Sequence, residues 1–165
     1  MKSKSCFFIG HHNAGADIYP MLAEEVVRHI AERGVTEFYV GRYGDFDRMA
    51  ARAVLEAKER HPEVRLYLVL PYHPAERPME VPPGFDGTYY PWAEERIPKR
   101  LAIVRTNRRM VDICGHLIAY VRHTFGNSGQ IVEYAGKRQD QGRCQVVNLA
   151  HSVLPLPGAS MHCRM

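Results

Sequence analysis

Three short stretches of the chain place glycine beside hydroxyl, amide and charged residues directly after β-suited runs, a combination that could hold an anionic, sugar-bearing ligand. In the first, Gly10-His11-His12-Asn13-Ala14-Gly15 leads into an amphipathic segment. Glycine lets backbone approach a ligand closely, and the start of the following helix offers unpaired N–H groups to an anion. The spacing is not that of the G-x-G-x-x-G dinucleotide fingerprint, and a tight turn explains Gly10 equally well. The second stretch, Gly41-Arg42-Tyr43-Gly44-Asp45-Phe46-Asp47, brings two glycines, an arginine and two carboxylates to a helix start capped by Asp45. There Asp47 is either held by the helix dipole alone or accepts hydrogen bonds from a ribose. The third, Thr124-Phe125-Gly126-Asn127-Ser128-Gly129-Gln130, has the makings of a small phosphate cradle: glycines, hydroxyls and a helix start after a buried strand. Glu133 falls on the first turns of that helix and can face the same cavity.

A basic cluster follows a proline-rich stretch: Arg96, Lys99, Arg100, Arg105, Arg108 and Arg109. Such a run is often a solvated face. Arg108 is the candidate exception, because its planar fork suits bidentate contact with phosphate. Cys6, Cys114, Cys144 and Cys163 show no Cys-x-x-Cys spacing and read chiefly as small buried hydrophobes. His11 and His12 are adjacent, and neighbouring side chains on an extended segment point apart, so no metal site is expected.

The elements that must position these residues alternate between strand and helix. Strands are expected at Ser5–Ile9, Glu37–Val40, Val64–Leu70, His116–Val121 and Gln145–Leu149. Ile18, Leu22, Val26 and Ile30 recur every four residues, an apolar helical stripe that Gly34 ends. Phe46, Met49, Ala50, Ala53, Val54 and Ala57 mark a second helix, with Phe46 in the core. Shorter helices are expected over residues 106–114 and 128–137. Between residues 71 and 98, seven of the chain's 11 prolines forbid a long helix and predict an ordered loop. Its rings Tyr72, Phe85, Tyr89, Tyr90 and Trp92 either pin the loop to the body, the favoured reading, or stack on a ligand. Strands separated by helices imply right-handed crossovers, hence an α/β, Rossmann-like three-layer sandwich with a mostly parallel five-stranded sheet. Ligands on such sheets bind beyond the carboxyl ends of the strands, where the strand order reverses. One domain is expected over residues 1–150, with a flexible tail over 151–165.

Gly41-Arg-Tyr-Gly-Asp-Phe-Asp47-Arg-Met-Ala, Thr106-Asn-Arg-Arg-Met-Val-Asp112 and His123-Thr-Phe-Gly-Asn-Ser128, in that order, resemble motifs of the SLOG superfamily. Within it they are most similar to the small bacterial YpsA-like, DUF1273-like proteins. The resemblance spans roughly residues 5–149. It implies a Rossmann-like fold and binding of nucleotides or nucleotide-derived ligands at the glycine loops. The ligand-binding set it supports is Gly10, His11, Gly41, Arg42, Tyr43, Gly44, Asp47, Asn107, Arg108, Thr124, Gly126, Asn127, Ser128 and Gly129. The superfamily's LOG phosphoribohydrolases carry Pro-Gly-Gly-x-Gly-Thr-x-x-Glu at the last loop, of which Gly129 and Glu133 fit here. That makes Glu133 the one candidate for catalysis in an N-glycosidic hydrolase of a nucleoside monophosphate. A third function, single-stranded nucleic-acid binding like that of the DNA-processing protein DprA, is implied by the resemblance to a superfamily that includes it.

Composition narrows the classes further. The chain has 165 residues, 45% hydrophobic and 24% charged, which fits one globular domain and excludes general disorder or a coiled coil. Twenty-two basic and 18 acidic residues give a net charge of +4. That suits a phosphate-bearing ligand and is too weak to point to nucleic acid as a partner. No apolar run approaches the ~20 residues of a membrane span, and the apolar start is too short for a signal peptide. A cytoplasmic location is expected, with no bound cofactor and with sheet edges and helices that would allow a homo-oligomer.

Overall fold

The side chains of β1 (Ser5–Gly10) alternate between two cores. Cys6 and Phe8 join a cluster that holds Leu22, Val26, Ala50 and Val54. Phe7 joins another, with Met110, Val111, Ile131 and Ala135. Period-two alternation between two apolar layers means a strand covered on both faces, and the chain supplies a pair of helices for each face. The computed structural model describes residues 4–93 and 95–151. The expected tail, apart from His151, lies outside them, as does Cys163.

After β1 come α1 (Tyr19–Arg33), β2 (Glu37–Val40), α2 (Asp45–Lys58), β3 (Arg65–Val69) and β4 (Gly87–Tyr89). They are followed by α3 (Lys99–Ile113), β5 (His116–Tyr120), α4 (Gly126–Asp140) and β6 (Gln145–Asn148). The sheet order is β4-β3-β2-β1-β5-β6, and every pairing is parallel. The chain therefore builds outward from β1 through β2, β3 and β4, returns to lay β5 on the other side of β1, and ends on β6. Helices α1 and α2 cover one face, α3 and α4 the other. This is the expected Rossmann-like three-layer α/β fold, with its reversal between β1 and β5.

The sheet has six strands, not five. The extra one, β4, is a three-residue edge strand inside the proline-rich excursion, where Gly87-Thr88-Tyr89 pairs with Tyr67-Leu68-Val69. Three residues among prolines carry too little pattern to announce a strand. The ring anchors behave largely as the pinning reading has it: Phe85 packs on the α1/α2 core and Tyr89 on the other. Trp92 Nε1 donates to Thr106 Oγ1 at 3.0 Å, and the Tyr90 hydroxyl bonds the Glu95 carbonyl. Helix α3 starts at Lys99, seven residues before the expected start, so the basic cluster from Lys99 onward is helical. The N-cap of α2 is Gly44, and Asp45 is the first helical residue instead of the cap. Cys6, Cys114 and Cys144 are buried, in keeping with their reading as hydrophobes.

Where β1 ends, α2 lies directly against it. A Cβ on Gly10 would overlap the Phe46 ring, which itself packs edge-on to Phe8 with centroids 6.4 Å apart. Gly10 is thus fixed by close packing of helix on strand. Gly10→Ala should destabilise the protein by about 1–3 kcal/mol, since an added methyl must push a buried ring off its rotamer. Urea unfolding checks this, and the cost should shrink in a Phe46→Leu background.

Candidate functional site

The carboxyl ends of β1 and β5 are strapped together by one histidine. His11 is buried; its backbone N–H donates to the Tyr120 carbonyl at 3.3 Å, and its Nε2 accepts the Arg122 N–H at 2.9 Å. Nε2 can accept only when unprotonated, so the geometry assigns the ring proton to Nδ1. Burial, reinforced by nearby His123 and Arg122, lowers the imidazole pKa and favours that neutral form. A second brace comes from β6. Asn148 Nδ2 donates to the Val121 carbonyl at 2.9 Å, while its Oδ1 accepts the Val121 N–H at 3.1 Å.

The second loop docks on the first. Asp45 N–H donates to the His12 carbonyl at 2.7 Å, which sets the start of α2 beside the end of β1. Asp47 closes the loop on itself, its Oδ2 accepting the Tyr43 N–H at 2.9 Å. Burial raises the Asp47 pKa to about 6, against the lowering effects of that N–H, His12 and Arg48. A carboxylate held in an environment that disfavours its charge costs stability, a condition common at functional positions.

The third loop seats α4. A Cβ on Gly129 would overlap the Thr124 carbonyl, so only glycine lets the first turn of α4 rest on the preceding turn. From that turn Ser128 Oγ donates to the Gly10 carbonyl at 3.3 Å, tying α4 to β1. No side-chain cap closes the N-terminus of α2 or of α4. Both helices consequently bring backbone N–H groups and a positive dipole end towards the same region.

Between the three loops lies a crevice of about 120 Å³. The first loop contributes Gly10, His11 and His12 to its wall, and the second Gly41, Tyr43, Gly44 and Asp47. Asn127 and Ser128 come from α4, with Ile103 and Asn107 from α3. Most of the ligand-binding set read from the sequence therefore meets in one place. Thr124, Gly126 and Gly129 lie beside the crevice as its support, outside the lining. Arg42 points into two neighbouring cavities. Arg108 and Glu133 are elsewhere: with Gln130, Tyr134 and Lys137 they line a separate depression of about 240 Å³, where Arg108 lies over the Tyr134 ring. On α4 the side chain at 133 points away from the turn that opens the helix, so the placement of Glu133 in the shared cavity does not hold. The same correction applies to Arg108. Sequence reasoning named His12 only as part of the first loop, and it missed Ile103 and the Asn148 brace. The one trace of the last is an amide that ends the apolar run Val146-Val147. No group of His, Cys, Asp and Glu among the described residues could hold a metal ion.

An all-parallel, doubly covered sheet with a polar crevice at its switch point defines a Rossmann-like α/β domain. Solved structures of DNA processing protein A share that fold. The Streptococcus pneumoniae protein is 12% identical with a TM-score of 0.54, over 90% of this chain and 60% of that one. The Helicobacter pylori protein, described for its single-stranded DNA binding mode, is 12% identical with a TM-score of 0.51, over 88% of this chain and 75% of its own. This chain thus spans about 60% of the pneumococcal protein's length. No family model and no curated protein matches it in sequence. Among the described residues no helix is long and apolar enough to cross a membrane.

The Asp47 carboxyl gives the site a testable electrostatic signature. Its folded pKa, about 6, lies above the ordinary range of an aspartate carboxyl. Its contribution is therefore fully present below the unfolded pKa and is lost as pH rises through the folded one. Asp47→Asn should stabilise the protein by about 1–3 kcal/mol at pH 7.5, with the gain vanishing near pH 4. Denaturant titrations of both proteins at the two pH values check this.

Proposed function

We propose that the protein binds the sugar–phosphate part of a nucleotide or nucleotide-derived ligand at the β1/β5 switch point. The observation that carries this reading is the convergence of the loops after β1, β2 and β5 on one crevice, beside two helix starts that no side chain caps. The crevice is sized for a phosphate or ribose phosphate, leaving the base to extend outside it. Phosphate would take the N–H groups at the start of α4 with Ser128 and Asn127, and the sugar hydroxyls would take Asp47 and Asn107. Kinship with the SLOG superfamily fits both this site and the DprA-like fold, and the YpsA-like assignment rests on the sequence motifs alone. The N-glycosidase alternative depends on Glu133, which lies outside the crevice; the carboxylate present there is Asp47.

Single-stranded nucleic acid is the second reading, and it tempers the expectation that nucleic acid is no partner. One specific feature favours it. Phe125, 71% exposed, stacks on His123 with centroids 3.7 Å apart and planes 7° from parallel, next to Arg122. An exposed ring stack beside an arginine is the kind of platform on which bases stack. The Helicobacter pylori neighbour's single-stranded DNA binding adds to this reading.

Calorimetric titration with AMP and ADP-ribose tests the first reading. Saturable binding is expected, at least about tenfold weaker in Ser128→Glu, which sets a like charge against the phosphate. No heat from either nucleotide would overturn it. The second reading predicts that a fluorescent single-stranded oligonucleotide binds with an affinity that falls steeply with salt and drops roughly fivefold or more in Phe125→Ala.

A further inference from the structure

One ring of the proline-rich excursion does not pin it. Tyr72 stands over a cavity of about 250 Å³ beyond the carboxyl ends of β2 and β3, walled by Val69, Leu70 and Pro71. Its remaining lining includes Arg42, Tyr43 and Arg77, and among the described residues it contains no carboxylate. The Arg77 guanidinium lies 4.0 Å from the centre of the Tyr72 ring, and Arg42 reaches the Met79 sulfur at 2.6 Å. The neighbouring Glu76 turns instead to Arg96, 3.6 Å away. Two guanidinium groups, two phenol rings and an apolar floor suit a flat aromatic group that carries negative charge.

This cavity adjoins the crevice. Tyr43 lines both, so a ligand leaving one passes that ring to enter the other. A mononucleotide whose phosphate sits in the crevice has nothing anionic left for Arg42 and Arg77. A ligand with a second nucleotide does.

We propose that crevice and cavity are two subsites of one site, built for two nucleotide units joined through phosphate. The inference rests on the proposed function and deepens it by naming the ligand class. The first unit's sugar–phosphate occupies the crevice. The second unit's base lies against Tyr72, with Arg42 and Arg77 on its phosphate. Such a ligand exists either as a free dinucleotide or as two successive residues of a single strand, and the chemistry recognised is the same.

Calorimetry with AMP, a 5′–5′ pyrophosphate-linked dinucleotide, a 5′-phosphorylated 3′–5′ dinucleotide and a ten-nucleotide strand tests this. At least one two-unit ligand should bind about tenfold or more tighter than AMP, the gain expected of an added charge-assisted phosphate contact. Tightest binding of the 5′–5′ compound identifies a small-molecule source, and of the strand a nucleic acid. Arg77→Ala and Tyr72→Leu should each remove that gain and leave AMP affinity within twofold. Their circular dichroism melts should match the parent, since Arg77 is exposed and the half-buried Tyr72 belongs to neither core cluster. If AMP binds and no two-unit ligand binds tighter, or if Arg77→Ala weakens all ligands equally, the second subsite is wrong and the mononucleotide reading stands. If none of the four binds, both readings fail together.

Discussion

The seam between β1 and β5 is the constraint on which the rest of the molecule depends. At this point the chain sends helices to opposite faces of the sheet, so the strand ends splay and their backbone groups lose regular partners. A neutral imidazole closes the gap. His11 takes the Arg122 amide while its own amide goes to Tyr120, and the Asn148 amide group steadies Val121 from the far side. With the seam satisfied internally and the Asp45 amide given to His12, the start of α4, which no side chain caps, still faces the crevice through Asn127 and Ser128. Were His11 to bind a proton on Nε2, it would oppose a backbone N–H with another N–H, and the crevice would lose its wall.

The layered fold was legible because its signals are periodic and long. Ile18, Leu22, Val26 and Ile30 could only be a helix face, and the run from Val64 to Leu70 only a strand with cover on both sides. The convergence of the glycine loops was legible through topology, since parallel strands place all their carboxyl ends together. What the sequence hid was local direction. Arg108 and Glu133 share the right elements, yet helical rotation turns both out of the crevice and into a depression of their own. Edge strand β4 was hidden for another reason: three residues between prolines hold no period to detect. Asp45 illustrates a third limit. Its type is that of a cap, but Gly44 takes that role because the loop must pass close to His12.

The resemblance read from the motifs and the likeness found by fold agree at the level of architecture. At 12% identity, with TM-scores of 0.54 and 0.51, what is shared is the overall fold. Residues of the crevice have to be argued from this chain's own contacts, and those contacts divide labour clearly. Gly10, Gly129 and His11 hold backbone in place, whereas Asp47, Asn107, Asn127 and Ser128 are polar residues of the crevice wall.

The proline-rich excursion is fastened at Phe85, Tyr89 and Trp92, and the wall it lends to the outer cavity comes from the stretch before those anchors. Tyr72, Arg77 and Met79 belong to neither core cluster and to no strand pairing. On the two-subsite proposal, scaffold and selector are separate parts of the molecule. A lineage, or an experimenter, could then retune what the protein accepts by rewriting a handful of positions on the excursion, while the crevice proposed for the common part of every guest stays as it is.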